Sequence, residues 1–465
     1  MLSQLKISKR TLQSNFKTIL RINKIDYLMY FCVFLFTILP AIWNLLRTHI
    51  IANYIDFSVE TYAQWTYLET LLEMLQEGMI LPLFWWFGTS MKNKNEIMGK
   101  IKTAFILVAI IYTLSLILTS IFSNKFVLFL NNDSHVENLS FFVLQLWSKL
   151  PEVLLLICTT VLVLFQKYIY TLILAIVKIS IGIFCDYIFS TNLVITPKLS
   201  LVGVSSLLAN FIVFIIALVL VIKIFGFRIF FNNKNYVKPK NVLSTSLWSF
   251  LDSFVRNVFY LFVFAKLMNN IDGSQAYYIA NAIIWNWMLI PLITLSDVHK
   301  SQTAKTLKNK SESIILFFQY QLISLFVFLL MMSIFLPLWK PMAFFMSNNQ
   351  TTTLLSWKIA KIVIGFYILY ATSATADSFF YGSGKTINLL IQSLIVNILV
   401  YVPVIIYWQI ADKSLSLDAI VLIFGSTMAL DSFIGYGLIF FTFLRWKEKP
   451  TDKSLIVFKQ SAKIN

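Results

Sequence analysis

Twelve apolar runs, each about the 20 residues that one helix needs to cross a bilayer core, dominate this sequence of 465 residues. They fall near 26–46, 62–88, 103–123, 140–164, 168–190, 200–222, 243–268, 276–298, 313–336, 355–380, 387–409 and 416–443. The runs are too long for barrel strands and do not alternate polar with apolar. Soluble domains carry about a quarter of their residues as charged groups. Here 13% are charged and 58% hydrophobic, too little polarity to cover a globule of this size. Soluble enzymes, disordered chains and disulfide scaffolds are therefore excluded. The expected fold class is an all-α polytopic membrane protein, with twelve transmembrane helices in two six-helix pseudo-symmetric bundles.

The net charge of +17 reports orientation rather than a nucleic-acid partner, because the basic residues alternate from loop to loop. With the N-terminus inside, 27 of the 38 Lys and Arg fall on cytoplasmic segments. The opposite loops hold only Arg47, Lys125, Lys198, Lys340 and Lys413. Both termini are then cytoplasmic. The basic loop from Lys223 to Lys240 splits the runs into six and six. Gly203-Val-Ser-Ser-Leu-Leu-Ala-Asn-Phe-Ile212 in run six is similar to Gly425-Ser-Thr-Met-Ala-Leu-Asp-Ser-Phe-Ile434 in run twelve. Lys167 and Lys385, opening runs five and eleven, lie at nearly the same offset. The organisation expected is a tail at 1–25, six-helix lobes at 26–235 and 236–445, and a tail at 446–465. Parallel repeats about an axis normal to the membrane are a transporter plan.

An ionised group at mid-bilayer costs roughly 2.5–3.5 kcal/mol on insertion scales, so each needs a partner, water or a function. Glu69, Glu73 and Glu77 in run two are four apart and share one stripe. Their mutual repulsion favours binding a proton or a cation; pairing with buried lysines is the plainer alternative. In run four Lys149 and Glu152 flank Pro151 and are spaced to pair, and Lys149 could instead reach the run-two stripe. Asp252 and Arg256 in run seven are similarly placed. Asp431, without a basic neighbour at helical spacing, is a proton-relay candidate, and Asp186 is expected at an interface. Trp85, Trp86, Trp285 and Trp287 could line a cavity for flat cations or simply pack.

Four stretches carry a resemblance. They are Pro40 followed by Asn53-Tyr-Ile-Asp56; Cys185-Asp186-Tyr with Leu201-Val-Gly203; Ala280-Asn281-Ala with Pro291; and Phe380-Tyr-Gly382-Ser-Gly384-Lys-Thr386 before a helix that ends near Pro403. Together they resemble the multidrug and toxic compound extrusion (MATE) family, within the superfamily that includes lipid-linked oligosaccharide flippases. The resemblance spans nearly the whole chain. It implies a twelve-helix V, cation-coupled export, a cation-site role for Asp56 and a functional carboxylate at Asp252. Asp377 lies about two turns from the family's acidic position in helix ten. Gly182 stands where the family carries Asn.

The expected function is a secondary active exporter that exchanges Na⁺ or H⁺ for an organic, amphipathic, cationic small molecule. The alternative is a flippase for a lipid-linked oligosaccharide or related intermediate. Candidate cation or substrate residues are Asp56, Glu69, Glu73, Glu77, Asp252, Asp377 and Asp431, with Lys149, Glu152 and Arg256 in supporting ion pairs. No cofactor is expected, nor any metal beyond transported Na⁺. The Gly382-Ser-Gly384-Lys-Thr386 segment lacks the first glycine and the strand of a phosphate-binding loop, because Phe379 occupies that position. His49, His135 and His299 are scattered, and no catalytic arrangement surrounds them. A monomer in a bacterial plasma membrane, binding no nucleic acid, completes the expectation.

Overall fold

The computed structural model describes residues 26–54, 58–91, 93–130, 139–190, 199–226, 239–259, 274–347, 349–411 and 415–448. Asp56 lies outside the described residues, as do most of the two tails. The described chain is all-α. The first six helices are α1 (Tyr27–Tyr54), α2 (Ser58–Gly88), α3 (Lys94–Leu130), α4 (Leu139–Leu164), α5 (Tyr168–Ser190) and α6 (Leu199–Phe225). The last six begin with α7 (Lys240–Phe259) and end with α12 (Leu417–Glu448). Between them α8 combines Ser274–Ile283 with Ile290–Thr306, α9 runs Lys310–Ser347, α10 runs Gln350–Ser383, and α11 combines Ile387–Val396 with Val402–Ala411. Twelve helical rods correspond to the twelve runs, several extending a few turns beyond the apolar stretch.

Among the described residues nine helices are long and apolar enough to cross a membrane, and the bent α8 makes ten. The two that fall short are α2 and α7, which carry Glu69, Glu73 and Glu77, and Asp252 and Arg256. Intramembrane charge is tolerated where a helix faces protein or a water-filled cavity instead of lipid. The least apolar helices should therefore be the central ones. They are: α2 packs along α7, and α8 packs against both α1 and α2. The pairing of α2 with α7 is mirrored by that of α8 with α1, as a two-fold relation between six-helix units requires.

Two π-turns follow from proline chemistry. Pro291 and Pro403 have no N–H to donate back into the helix. The chain relaxes by wider hydrogen bonds just upstream, at Ile284–Met288 and Asn397–Tyr401. In α8 the Leu289 N–H reaches Ile284 O at 2.8 Å, and the helix bends by 46°. Such turns recur at functional sites.

Among the described residues the turns near 308–310 and Lys385 and the end of α12 at Arg445 lie together at one end, here the basic end. There Lys385 rides over the Trp446 ring at 5.1 Å. Burial, followed by the charges of Arg445 and Lys310, holds its ammonium below the usual lysine range. The described contacts between the two six-helix groups gather toward this end. Gly78 sits against Phe250, where an added Cβ would stand 2.6 Å from that residue's own Cβ. Trp85 covers Gly384, and Tyr30 donates to Pro291 O at 3.2 Å. Farther along α2, Glu73 is exposed, and Glu77 and Arg256 at the contact of α2 with α7 are 40% and 50% exposed, so these side chains border an open space, here the cleft.

Gly384 caps α10 in the left-handed region, with φ of 71°. A side chain there meets both backbone strain and Trp85 at 2.5 Å. Gly384→Val is therefore expected to destabilise the purified protein by about 1–3 kcal/mol. Its thermal unfolding in detergent checks this, and an unchanged melting temperature contradicts it.

Candidate cation and substrate site

The acidic stripe of α2 divides by its partners. Glu69 pairs with the Lys149 ammonium of α4. Lys149 also holds Glu152 Oε2 at 2.9 Å, and Lys178 of α5 takes Glu152 Oε1 at 2.9 Å. The carboxylates and ammoniums alternate from α2 through α4 to α5. Both alternatives left open for Lys149 are thus realised at once, and Lys178 is a partner that spacing within one helix could not reveal. Tyr112 of α3 donates to Leu72 O at 3.4 Å and fixes the neighbouring turn of α2. Glu73, one turn on, makes no ion pair among the described residues and is exposed to the cleft.

Glu77 forms the floor of that cleft. Its Oε2 accepts from Ser253 Oγ at 2.7 Å and from Arg256 Nη2 at 2.8 Å, both on α7. Arg256 is 50% exposed and Glu77 40% exposed. Such wet ion pairs contribute only about 0–1 kcal/mol, so another cation can displace this one. Arg256 therefore pairs across the two groups instead of with Asp252, one turn away on its own helix.

Asp252 points into the last six helices. It is 2% exposed, and it accepts from Ser393 Oγ and, at 3.5 Å, from Tyr381 OH. A cavity of about 30 Å³ lies between α7, α10, α11 and α12, lined by Asp252, Asp377, Asp431, Arg256, Gln392 and Tyr381 among others. That volume admits about one or two waters. Gln392 donates to Asp377 Oδ1 at 3.5 Å. Ser373 and Ser432, at 3.0 Å, join α10 to α12 beside the cavity. Three carboxylates from three helices thus converge on one void, and the one guanidinium at its edge is engaged by Glu77. Asp377 and Asp431, read separately along the sequence, share this site.

Asp186 requires a correction. It is fully buried within the helix bundle instead of standing exposed near a helix end. Arg47, expected in a loop, lies within α1 and is 4% exposed. It grips the carboxylate with two donors, Nε to Oδ2 at 2.8 Å and Nη2 to Oδ1 at 3.0 Å. Trp43 Nε1 adds a third donor at 2.7 Å, and Arg47 Nη1 donates to Ser206 Oγ at 2.7 Å. The guanidinium also lies 4.3 Å from the Trp43 ring centroid. A Cβ at Gly182 would stand 2.3 Å from that ring. The indole thus leaves no room for a side chain at Gly182.

The tryptophans are mostly committed to packing. Trp86 is 3% exposed, and its carbonyl accepts from Lys100 Nζ at 2.9 Å. Trp85 covers Gly384, while Trp285 donates to Tyr367 OH at 3.0 Å. The glycines of the Gly382–Thr386 turn serve close packing. A Cβ at Gly382 would meet Lys300 O at 2.6 Å, and Thr386 donates to Thr245 O at 2.8 Å. His299 is fully buried and stacked on Tyr320 at 4.5 Å. Among the described residues no group of three His, Cys, Asp or Glu is spaced to hold a metal ion.

No protein-family model and no curated protein matches the sequence. Solved structures match the fold. A MOP superfamily transporter from Pyrococcus furiosus, described as having a binding pocket of reverse polarity that suggests a different function, aligns with a TM-score of 0.80 at 11% identity. That alignment covers 94% of this chain and 97% of the other. An outward-facing multidrug resistance MATE family transporter gives 0.81 at 12% identity, over 94% and 97% of the two chains. A Vibrio cholerae MATE transporter gives 0.78 at 12%, over 94% and 99% of the two chains. At these identities the likeness is one of fold. The chain shares the fold of these transporters and is a multi-pass membrane protein.

Proposed function

We propose that this chain is a secondary active exporter, acting as a monomer in a bacterial plasma membrane, that exchanges protons for an organic, amphipathic cation. The basic end is then cytoplasmic, in keeping with the 27 Lys and Arg on that side. The observation that carries the reading is the unequal pairing of charge. Glu69, Glu152 and Asp186 are each held by a basic side chain, whereas Glu73 faces the cleft without one. Beyond the floor, Asp252, Asp377 and Asp431 share a water-sized cavity. Protons are favoured over Na⁺ as the coupling ion, because proton uptake relieves the mutual repulsion of three carboxylates in a cavity for about one or two waters.

Arg256 links the two sites, lining the acidic cavity while bonding Glu77. With the aspartates ionised, the guanidinium is drawn toward the cavity, and Glu77 joins Glu73 in holding the substrate cation. Entering protons neutralise the aspartates and free Arg256 for Glu77. The substrate then loses a counter-charge and leaves. Each ligand acts only by its different affinity for the two arrangements. The arrangement seen here, Arg256 on Glu77, is the substrate-released one.

Binding of tetraphenylphosphonium to the purified protein tests the reading. Glu73→Gln is expected to weaken it about ten- to a hundredfold, equivalent to about 1.4–2.8 kcal/mol; equal affinity contradicts the assignment. Arg256→Gln is expected to keep the binding but to remove its loss on acidification. Lys149, Lys178 and Arg256 are already engaged by carboxylates, which disfavours the flippase alternative with its pyrophosphate. Tighter binding of a lipid pyrophosphate than of the cation would reverse that preference.

A further inference from the structure

Helices α2, α3 and α7 enclose an apolar groove of about 280 Å³ that opens to the side of the bundle. Met79 and Trp86 of α2, Ala104 and Leu107 of α3, and Leu243 and Leu247 of α7 form much of its wall. Ser246 supplies the one hydroxyl among the described lining residues. Water gains little in such a space, and an empty groove forfeits dispersion contacts along its length. The surrounding medium supplies hydrocarbon. Lys240 stands three residues before Leu243 and seven before Leu247, on the same stripe of α7 and one turn nearer the basic end. It is exposed, and it makes no ion pair among the described residues.

We infer that this groove binds one phospholipid with an anionic headgroup, its acyl chain lying along α3 and α7 and its headgroup at Lys240. Two walls come from the first six helices and one from the last six. The site is therefore complete only while α2 rests on α7, with Gly78 against Phe250. A lipid bound there stabilises that arrangement, so membrane composition biases the conformational equilibrium. The inference rests on the fold and the groove, and is independent of the exporter reading.

Photo-crosslinking of the full chain tests it, in bilayers that mix phosphatidylglycerol with phosphatidylcholine. Benzophenone-bearing residues replace Leu247 at the groove and, as a control, Phe326, which is 67% exposed on α9. Lipid adducts are read by mass spectrometry. At Leu247 the phosphatidylglycerol share is expected to exceed that at Phe326 by about fivefold, the factor that one lysine near an anionic surface supplies. Lys240→Glu should return the ratio to the control value. Leu107→Trp, which fills the groove, should remove the Leu247 adduct and leave the Phe326 adduct intact. The same lipid ratio at both probes in the unaltered background, meaning annular lipid only, overturns the inference. So does the absence of any lipid adduct at Leu247.

Discussion

Asp377→Asn and Asp431→Asn are each expected to abolish uphill export of an organic cation driven by a proton gradient. Downhill movement of the same cation should continue. Both residues line one cavity with Asp252 and Arg256. Three carboxylates in a space for about one or two waters repel one another, and one neutralised oxygen changes the field that Arg256 feels. An amide keeps the shape and the hydrogen bond with Gln392 but cannot take up or release the proton. The link between proton entry and the position of Arg256 is lost. Coupling free energies between sites commonly run about 1–3 kcal/mol, or roughly 5- to 150-fold in affinity. The acid-induced loss of substrate affinity should shrink by a factor in that range. Proteoliposomes with and without an imposed pH difference separate the two behaviours. Variants that still concentrate substrate against its gradient contradict the role given to these aspartates.

The second large effect is on stability. Asp186→Ala leaves the Arg47 guanidinium buried, with its two donors at 2.8 and 3.0 Å deprived of their acceptor. Breaking a buried pair from one side costs about 3–5 kcal/mol, whereas replacing both members by apolar groups of similar volume is often neutral or stabilising. The double variant Arg47→Met with Asp186→Leu should therefore recover most of the stability that Asp186→Ala loses. Trp43 Nε1 would still lack its acceptor, at a cost of about 1–3 kcal/mol, so the recovery stays incomplete unless Trp43→Phe is added. Thermal denaturation of the detergent-solubilised variants gives the order. If Asp186→Ala is as stable as the unaltered protein, the cluster is not the structural clamp described here.

The helices were legible because bilayer physics leaves few options for twelve runs of this length and hydropathy. The unusual polarity of α2 and α7 was equally visible, and it marks them as the central pair. The partners of the charges were less legible. Spacing within one helix links Lys149 to Glu152, but only packing brings Glu69 and Lys178 to the same chain of charges. Asp252 and Arg256 fit a local pair by spacing, yet the rotation of α7 sends the guanidinium across to Glu77. Asp186 sits near a helix end in the sequence, where an interfacial position is the natural reading. Its burial depends on Arg47, 139 residues away in the chain. Gln392 and Ser393, polar residues in an apolar helix, were the signal available for the acidic cavity. Their meaning appears only once α7, α10 and α12 surround them.

The most direct test of cation–proton exchange is efflux of a fluorescent lipophilic cation from loaded proteoliposomes containing the purified protein. An inward proton gradient is imposed first, and an inward Na⁺ gradient of equal size second. Proton-driven efflux above the rate without a gradient is expected, absent in Asp377→Asn, with no stimulation by Na⁺ alone. Efflux indifferent to the proton gradient, in a preparation that binds the cation, would contradict cation–proton exchange.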